Sequence, residues 1–220
     1  IIAGLGRRIV KNLLTRSKTD PAVVSFAGSM VYILILIGAI LAALGRVGVE
    51  TASFIAIVGA AGFAIGFALQ GSLANFASGV LILVFRPFKV GDFIDVAGVA
   101  GSVKEIHLFT TVMSTPDNIK IMVPNGQIYG STIKNVTAYD TRRCDLLIGI
   151  AYGSSIQKAE AIVESLIKQD ERILTDPEPI IAVAELADSS VNLHVRPWVA
   201  TADYWAVRFD LTRRLKEELE

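Results

Sequence analysis

The sequence predicts a membrane-embedded α-helical domain followed by a small β domain and an α+β domain. Three observations carry this expectation. The run from Thr51 to Phe85 contains no Asp, Glu, Lys or Arg. Val23 to Leu44 is a second uncharged run, rich in Ile, Leu and Val. After Arg86 the chain mixes charges, turn residues and short apolar runs, and no comparable stretch recurs. A hydrocarbon core about 30 Å thick is crossed by roughly 20 apolar residues in helix, so both runs are long enough to span it. The expected domains are 1–89 in the membrane, 90–137 as the β domain and 138–220 as the α+β domain.

Ile1 to Leu5 are apolar and give way to Arg7, Arg8, Lys11, Arg16 and Lys18. We read them as the inner end of an earlier membrane helix leading into a basic loop, because the charges follow the apolar residues rather than precede them. One full span is expected over 22–45. The loop after it holds only Arg46 and Glu50. The positive-inside rule therefore puts the first loop in the cytoplasm, and two further crossings return the chain there, making everything after Arg86 cytoplasmic. The single Cys144 has no partner for an intrachain disulfide, which suits a reducing compartment. Outside the basic loop there is no positive stripe and the formal net charge is zero, so no nucleic-acid partner is expected.

Thr51 to Phe85 is too long for one straight crossing: as a single helix it would run about 50 Å. Gly71-Ser72 supplies a common kink signal, so we expect two helices, 51–71 and 72–86, the second closing at Arg86-Pro87. The upper helix has three chemically distinct stripes at about 100° per residue. Ala56, Phe63, Phe67 and Gln70 form one; Gly59, Gly62 and Gly66 flank it on one side and Ala60, Ala64 and Ala68 on the other. Small residues let membrane helices approach closely, and a ridge entering a different groove makes a head-to-tail contact that closes into a ring. The middle stripe then faces the ring's axis, where two layers of phenylalanine would block ions by dewetting. Small residues at this spacing also serve helices that merely dimerise, and aromatics four apart also face lipid or a core.

In 90–137, strands are expected over 92–96, 101–108, 109–114 and 119–123, with Gly98, Pro116-Asp117-Asn118 and Asn125-Gly126 as turns. This spacing suits a small bent barrel. Beyond 138 the pattern is strand, helix, strand, strand, helix. The strands are 144–150, 180–186 and 191–199; one helix starts at a Ser154/Gln157 capping box, and another is capped by Asp203. Helices on one face of an antiparallel sheet describe a ferredoxin-like α+β layer. Trp198, Tyr204, Trp205 and Phe209 are expected in a core or a subunit contact. His107 and His194 lack ligand-spaced partners, no nucleotide-binding glycine loop is present, and no constellation of nucleophile and base accompanies the turns. Neither metal, cofactor nor enzymatic activity is expected.

Gly59-Ala60-Ala61-Gly62, Ala68-Leu69-Gln70-Gly71-Ser72-Leu73, Asn75, Gly79, Phe85-Arg86-Pro87-Phe88 and Val123-Pro124-Asn125-Gly126 together resemble the bacterial small-conductance mechanosensitive channel family. The resemblance covers nearly the whole chain. It implies a homoheptamer in the bacterial inner membrane, multi-pass, in contact with lipids, opening under tension to release ions and small solutes on osmotic downshock. It further implies that Phe63 and Phe67 constrict the pore, that Gly71 is the kink and Gly79 a second flexible glycine, and that a further strand and tail barrel follow residue 220. The family usually has leucine at both constricting positions, so apolar character carries over and pore width does not. It also places Asp20 near Arg86 and Lys89, a charge pairing suited to couple the outer helices to the β domain. The rival reading is a membrane-anchored oligomer whose α+β region binds a ligand.

Overall fold

In the computed structural model, residues 2–16 and 20–219 are described, and the chain divides into two compact units between Gly71 and Ser72. Lys18 and the Arg16 side chain lie outside the described residues.

The first unit is built from helices. α1 (Ile2–Arg16) carries Arg7, Arg8 and Lys11, so these charges sit on helix rather than in the loop expected for them. The apolar–basic amphipathicity that looked like a fading membrane segment is compatible with continuous helix. α2 (Pro21–Arg46) covers the stretch expected as a span, and among the described residues it is one of two helices long and apolar enough to cross a membrane. Its start is locally encoded: Pro21 presets the first helical φ, and the Asp20 carboxylate accepts from Ala22 N at 2.7 Å. α1 and α2 approach through glycine. A Cβ at Gly6 would meet Ile35 Cδ1 at 2.6 Å, and one at Gly28 would press on the aliphatic stems of Lys11 and Arg7.

α3 (Ala52–Phe85) is the second such helix. Where two helices were expected there is one helical element, running through Gly71-Ser72. Glycine and serine lower helix propensity without removing a backbone donor, and the apolar flanks keep the ladder going. The helix ends where proline forbids its continuation: Arg86, before Pro87, turns to φ 49°.

The second unit contains the lower part of α3 and everything after it. β1 (Phe93–Val96), β2 (Val99–Ile106), β3 (Thr110–Ser114), β4 (Lys120–Pro124) and β5 (Lys134–Asn135) form an antiparallel sheet ordered β4-β3-β2-β1-β5, with a register shift between Val103 and Glu105. Phe88, Ile94, Val96, Val103, Met113, Val123 and Ile128 fill its core, and Ile82 of α3 is buried with them. Asn125-Gly126, expected as a turn, instead opens the one-turn helix α4 (Asn125–Tyr129). Pro124 cannot donate to the β4 ladder, so the strand stops there and the chain curls.

The α+β layer uses β6 (Thr141–Arg143), β7 (Leu146–Ile150), α5 (Ile156–Gln169), β8 (Ile173–Leu174), β9 (Ile180–Leu186), β10 (Val191–Arg196), β11 (Trp198–Ala200) and α6 (Tyr204–Leu219). They form two three-stranded sheets, β7-β10-β9 and β6-β11-β8. A single strand was expected over 191–199 where β10 and β11 occur, and β6 and β8 were not expected. Pro197 splits β10 from β11, and the chain changes sheet at both breaks, between Arg143 and Leu146 and at Pro197. The cap of α5 is Ser155, whose hydroxyl accepts from Lys158 N, one residue later than the expected box. Ser154 is used in the preceding turn, donating its N–H to the Ala151 carbonyl. Asp203 ends a 3₁₀ turn (Thr201–Asp203) that runs directly into α6. Tyr204 packs against the core with Val207, Leu211 and Leu215, whereas Trp205 and Phe209 stack on each other on the exposed side of α6.

Candidate functional site

The two parts of α3 are the candidate site. From Ala52 to Ala74 every residue is exposed in the single chain, including the charge-free apolar face that water would not tolerate. Phe63 and Phe67 remain 69% and 59% exposed, yet their rings meet edge to face at 4.5 Å between centroids. The four-residue spacing puts them one above the other on a single stripe, with Ala56 and Gln70. Beside that stripe, a Cβ built at Gly59, Gly62 or Gly66 meets nothing within 4 Å. The groove is open. Ala60, Ala64 and Ala68 are equally exposed on the opposite flank. Gly71 has open space as well. An apolar groove of about 230 Å³ lies between α2 and α3, lined by Ile37, Ile40, Leu41, Leu44, Phe54, Ile57 and Val58.

Beyond Gly71, the same helix is held tightly. Asn75, Phe76, Gly79 and Ile82 share one face at helical spacing, and each meets the β domain. Asn75 Oδ1 accepts from Gly126 N at 2.8 Å, at the start of α4. The Phe76 ring lies 5.9 Å from that of Phe109. Gly79 touches the loop between β2 and β3 so closely that a Cβ would land on the Leu108 carbonyl oxygen and 2.5 Å from Asn125 Nδ2. Ile82 is fully buried. Gly79, expected as a flexible glycine, is thus placed at a close backbone approach. Asn75 entered the sequence reading only as part of the family motif; its partner, and the roles of Leu108, Phe109 and Thr111, have no signal in the linear pattern.

Arg86 and Lys89 sit at the end of α3, both exposed. The turn that follows is fastened by Asp92, whose carboxylate accepts from Lys89 N at 2.9 Å and from Asn135 Nδ2 at 2.7 Å. Asp20 serves as the α2 cap described above.

The α+β domain carries the strongest electrostatics. Arg172 forks onto Asp170 at 2.8 and 2.7 Å and reaches Asp210 at 3.0 Å, joining the end of α5 to α6. The hydrogen bonds from Arg172 hold the nearly buried Asp170 carboxyl below its ordinary value against the opposing effect of burial. Asp145 is likewise lowered, chiefly by its hydrogen bond from Arg143. Burial pushes the Cys144 thiol up. Among the described residues no group of three or more His, Cys, Asp and Glu is placed to hold a metal ion.

Comparison with known proteins accounts for the whole chain. Residues 29–70 match the family described as mechanosensitive ion channel, transmembrane helices 2/3; residues 71–138 match mechanosensitive ion channel, beta-domain; and residues 145–220 match mechanosensitive ion channel MscS, C-terminal. An uncharacterised MscS family protein of Synechocystis is 40% identical over 97% of this chain and 72% of its own length. The small-conductance mechanosensitive channel of Edwardsiella ictaluri is 44% identical over 100% of this chain and 77% of its own. The crystal structure of Helicobacter pylori MscS in its closed state superimposes with a TM-score of 0.87 at 30% identity, covering 98% of this chain and 87% of that one.

Proposed function

The chain belongs to the MscS family of mechanosensitive ion channels, and from that membership we propose that it opens under membrane tension through a hydrophobic gate made by Phe63 and Phe67. It is a mechanosensitive ion channel, with transmembrane helices and a cytoplasmic domain. The observation that carries the gate is the exposed, edge-to-face phenylalanine pair flanked by an open glycine groove and an alanine ridge. In a ring of copies each ridge fills the next copy's groove and the aromatic stripe lines the axis, with Ala56 above and Gln70 below it. A narrow apolar constriction excludes ions because they keep their hydration shells.

Tension favours whichever state occupies more membrane area. Sliding the Ala60, Ala64 and Ala68 ridge along the Gly59, Gly62 and Gly66 groove lets the upper helices separate and withdraws both rings from the axis. Gly71, where an added Cβ would meet nothing within 4 Å, is the hinge for that motion by resemblance, and Gly79 is the second glycine of the hinge pair. The resemblance supports a homoheptamer in a bacterial inner membrane that releases ions and small solutes on osmotic downshock. The apolar groove between α2 and α3 supports contact with lipid. Asp20 faces Arg86 and Lys89 in this reading and links the outer helices to the cytoplasmic domain.

Patch recordings under graded suction test the gate. Phe63→Ser with Phe67→Ser removes both apolar rings, and the expected result is current without applied tension. A double variant that assembles yet stays silent until the wild-type threshold would overturn this assignment.

A further inference from the structure

We propose that His194 makes the α+β domain sensitive to protons: its imidazole takes a hydrogen bond from Arg196 only when neutral, and on protonation releases that guanidinium to Asp145. The three residues sit where the chain changes sheet. Arg196 ends β10, with Pro197 next, and Asp145 precedes β7. Backbone already joins the two crossings, since Cys144 N–H donates to the Pro197 carbonyl at 2.8 Å.

Along β10, Val191, Leu193 and Val195 are buried, so the two-residue period places Asn192, His194 and Arg196 together on the other, half-buried face. Arg196 Nη2 lies 3.2 Å from His194 Nε2. A guanidinium can only donate, so Nε2 is the acceptor and the ring proton is on Nδ1. A protonated ring has no acceptor left and sets two cations against each other. Arg196 then has another acceptor in reach. Its Nε is buried without a hydrogen-bond partner among the described residues and lies 3.9 Å from Asp145 Oδ1, too far for a hydrogen bond. Leaving such a donor unmet is costly, and a small movement toward Asp145 satisfies it.

The side chains opposite the ring are apolar, Leu147 of β7 and Ala182 of β9. Glu185 of β9 accepts from Asn192 Nδ2 at 2.7 Å, and Arg142 of β6 lies over the Tyr204 ring at 3.8 Å. Asp145 accepts from Arg143 of β6 at 2.6 and 3.0 Å, and Arg208 of α6 donates to its backbone carbonyl at 3.0 Å. The hydrogen bond from Arg143 holds the Asp145 carboxyl below its ordinary value, so it stays charged between about pH 5 and 8, where imidazoles titrate. Protonation of His194 thus adds a bond across the two crossings, and the junction tightens as its surroundings acidify.

Amide exchange of the assembled full-length protein tests this, read as the protection factor of the 141–147 segment at pH 8 and at pH 6. The expected result is roughly tenfold greater protection at pH 6, the effect of one added hydrogen bond. His194→Gln keeps an acceptor near the Nε2 position and cannot be protonated, so its protection stays at the wild-type pH 8 value throughout. Asp145→Asn removes the charge that draws Arg196 and also abolishes the rise; Arg196→Gln takes its place where that variant does not assemble. His107→Gln removes the other histidine, which pairs with Glu105 at 2.8 Å, and leaves the rise intact. A purely structural His194 would give His194→Gln lower protection at both pH values with the rise preserved. That outcome, a wild-type protein with no rise, or a rise that disappears with His107→Gln overturns the proposal.

Discussion

The upper and lower parts of α3 belong to one uncharged helix and stand in opposite situations. Gly59, Gly62 and Gly66 border empty space, while Gly79 is pressed against a carbonyl oxygen and a buried amide. Among the described residues the Phe63 and Phe67 rings meet only each other, while Phe76 meets Phe109 of another element. Both parts are uncharged, and Gly and Ala are denser above Gly71 than below it. The difference lies in what the rest of the described chain brings to each glycine face: nothing within 4 Å of a Cβ at Gly59, Gly62 or Gly66, and an entire β domain below Gly71. The upper faces are built for something outside one chain, and the lower face is already satisfied within it.

Substitutions can sharpen that contrast. The largest expected effect is Ile82→Ala, which opens a cavity in the β-domain core and costs about 2–5 kcal/mol, read as a fall in the unfolding midpoint of the cytoplasmic part. Gly79→Ala follows, at about 1–3 kcal/mol, because the obstructing atom at Leu108 is backbone and cannot swing aside. Gly62→Ala is its counterpart above the boundary. It is expected to leave the unfolding of each chain unchanged and to weaken the assembled ring in native mass measurements. Equal destabilisation of the single chain by Gly62→Ala and Gly79→Ala would break the comparison.

Acid gives a smaller, separable effect. Asp170 and Asp145 have folded values below their ordinary ones, so their stabilising contribution is fully present above the ordinary carboxylate range and is lost as pH falls through the folded values, below about 4. Both tryptophans, Trp198 and Trp205, lie in the α+β domain, so their fluorescence reports this loss. α3 has no carboxylate, and its helicity is expected to persist through the same titration. The smallest effect is Asp20→Asn. Asparagine preserves the α2 cap while deleting the charge, so a shift in opening tension would reflect lost coupling to Arg86 and Lys89, worth about 0–1 kcal/mol for exposed charges. An unchanged threshold would remove that coupling.

Much of this was legible in order along the chain. The membrane helices follow from uncharged length, and α2 begins at an Asp-Pro pair that any helix would use as a start. The β strands follow from alternation between turn residues. The errors have local physical causes. Ser154 and Ser155 are equivalent as caps until the turn before α5 claims one of them. Asn125-Gly126 has the composition of a turn, and only the proline before it and the helix beside it make it the start of α4. Trp205 and Phe209 were expected in a core or a subunit contact; helical phase turns them outward from Val207 and Leu211, which removes the core and leaves the subunit contact.

By itself the sequence determined the division into membrane and cytoplasmic parts, the stripe of Phe63 and Phe67, and the glycine and alanine flanks, because these depend only on length, charge and the 3.6-residue period. The tertiary structure alone decided that Gly79 is a contact, that Asn75 caps α4, and that Arg196 faces Asp145. Those pairings join residues far apart in the chain, and no local period records a distance that folding creates.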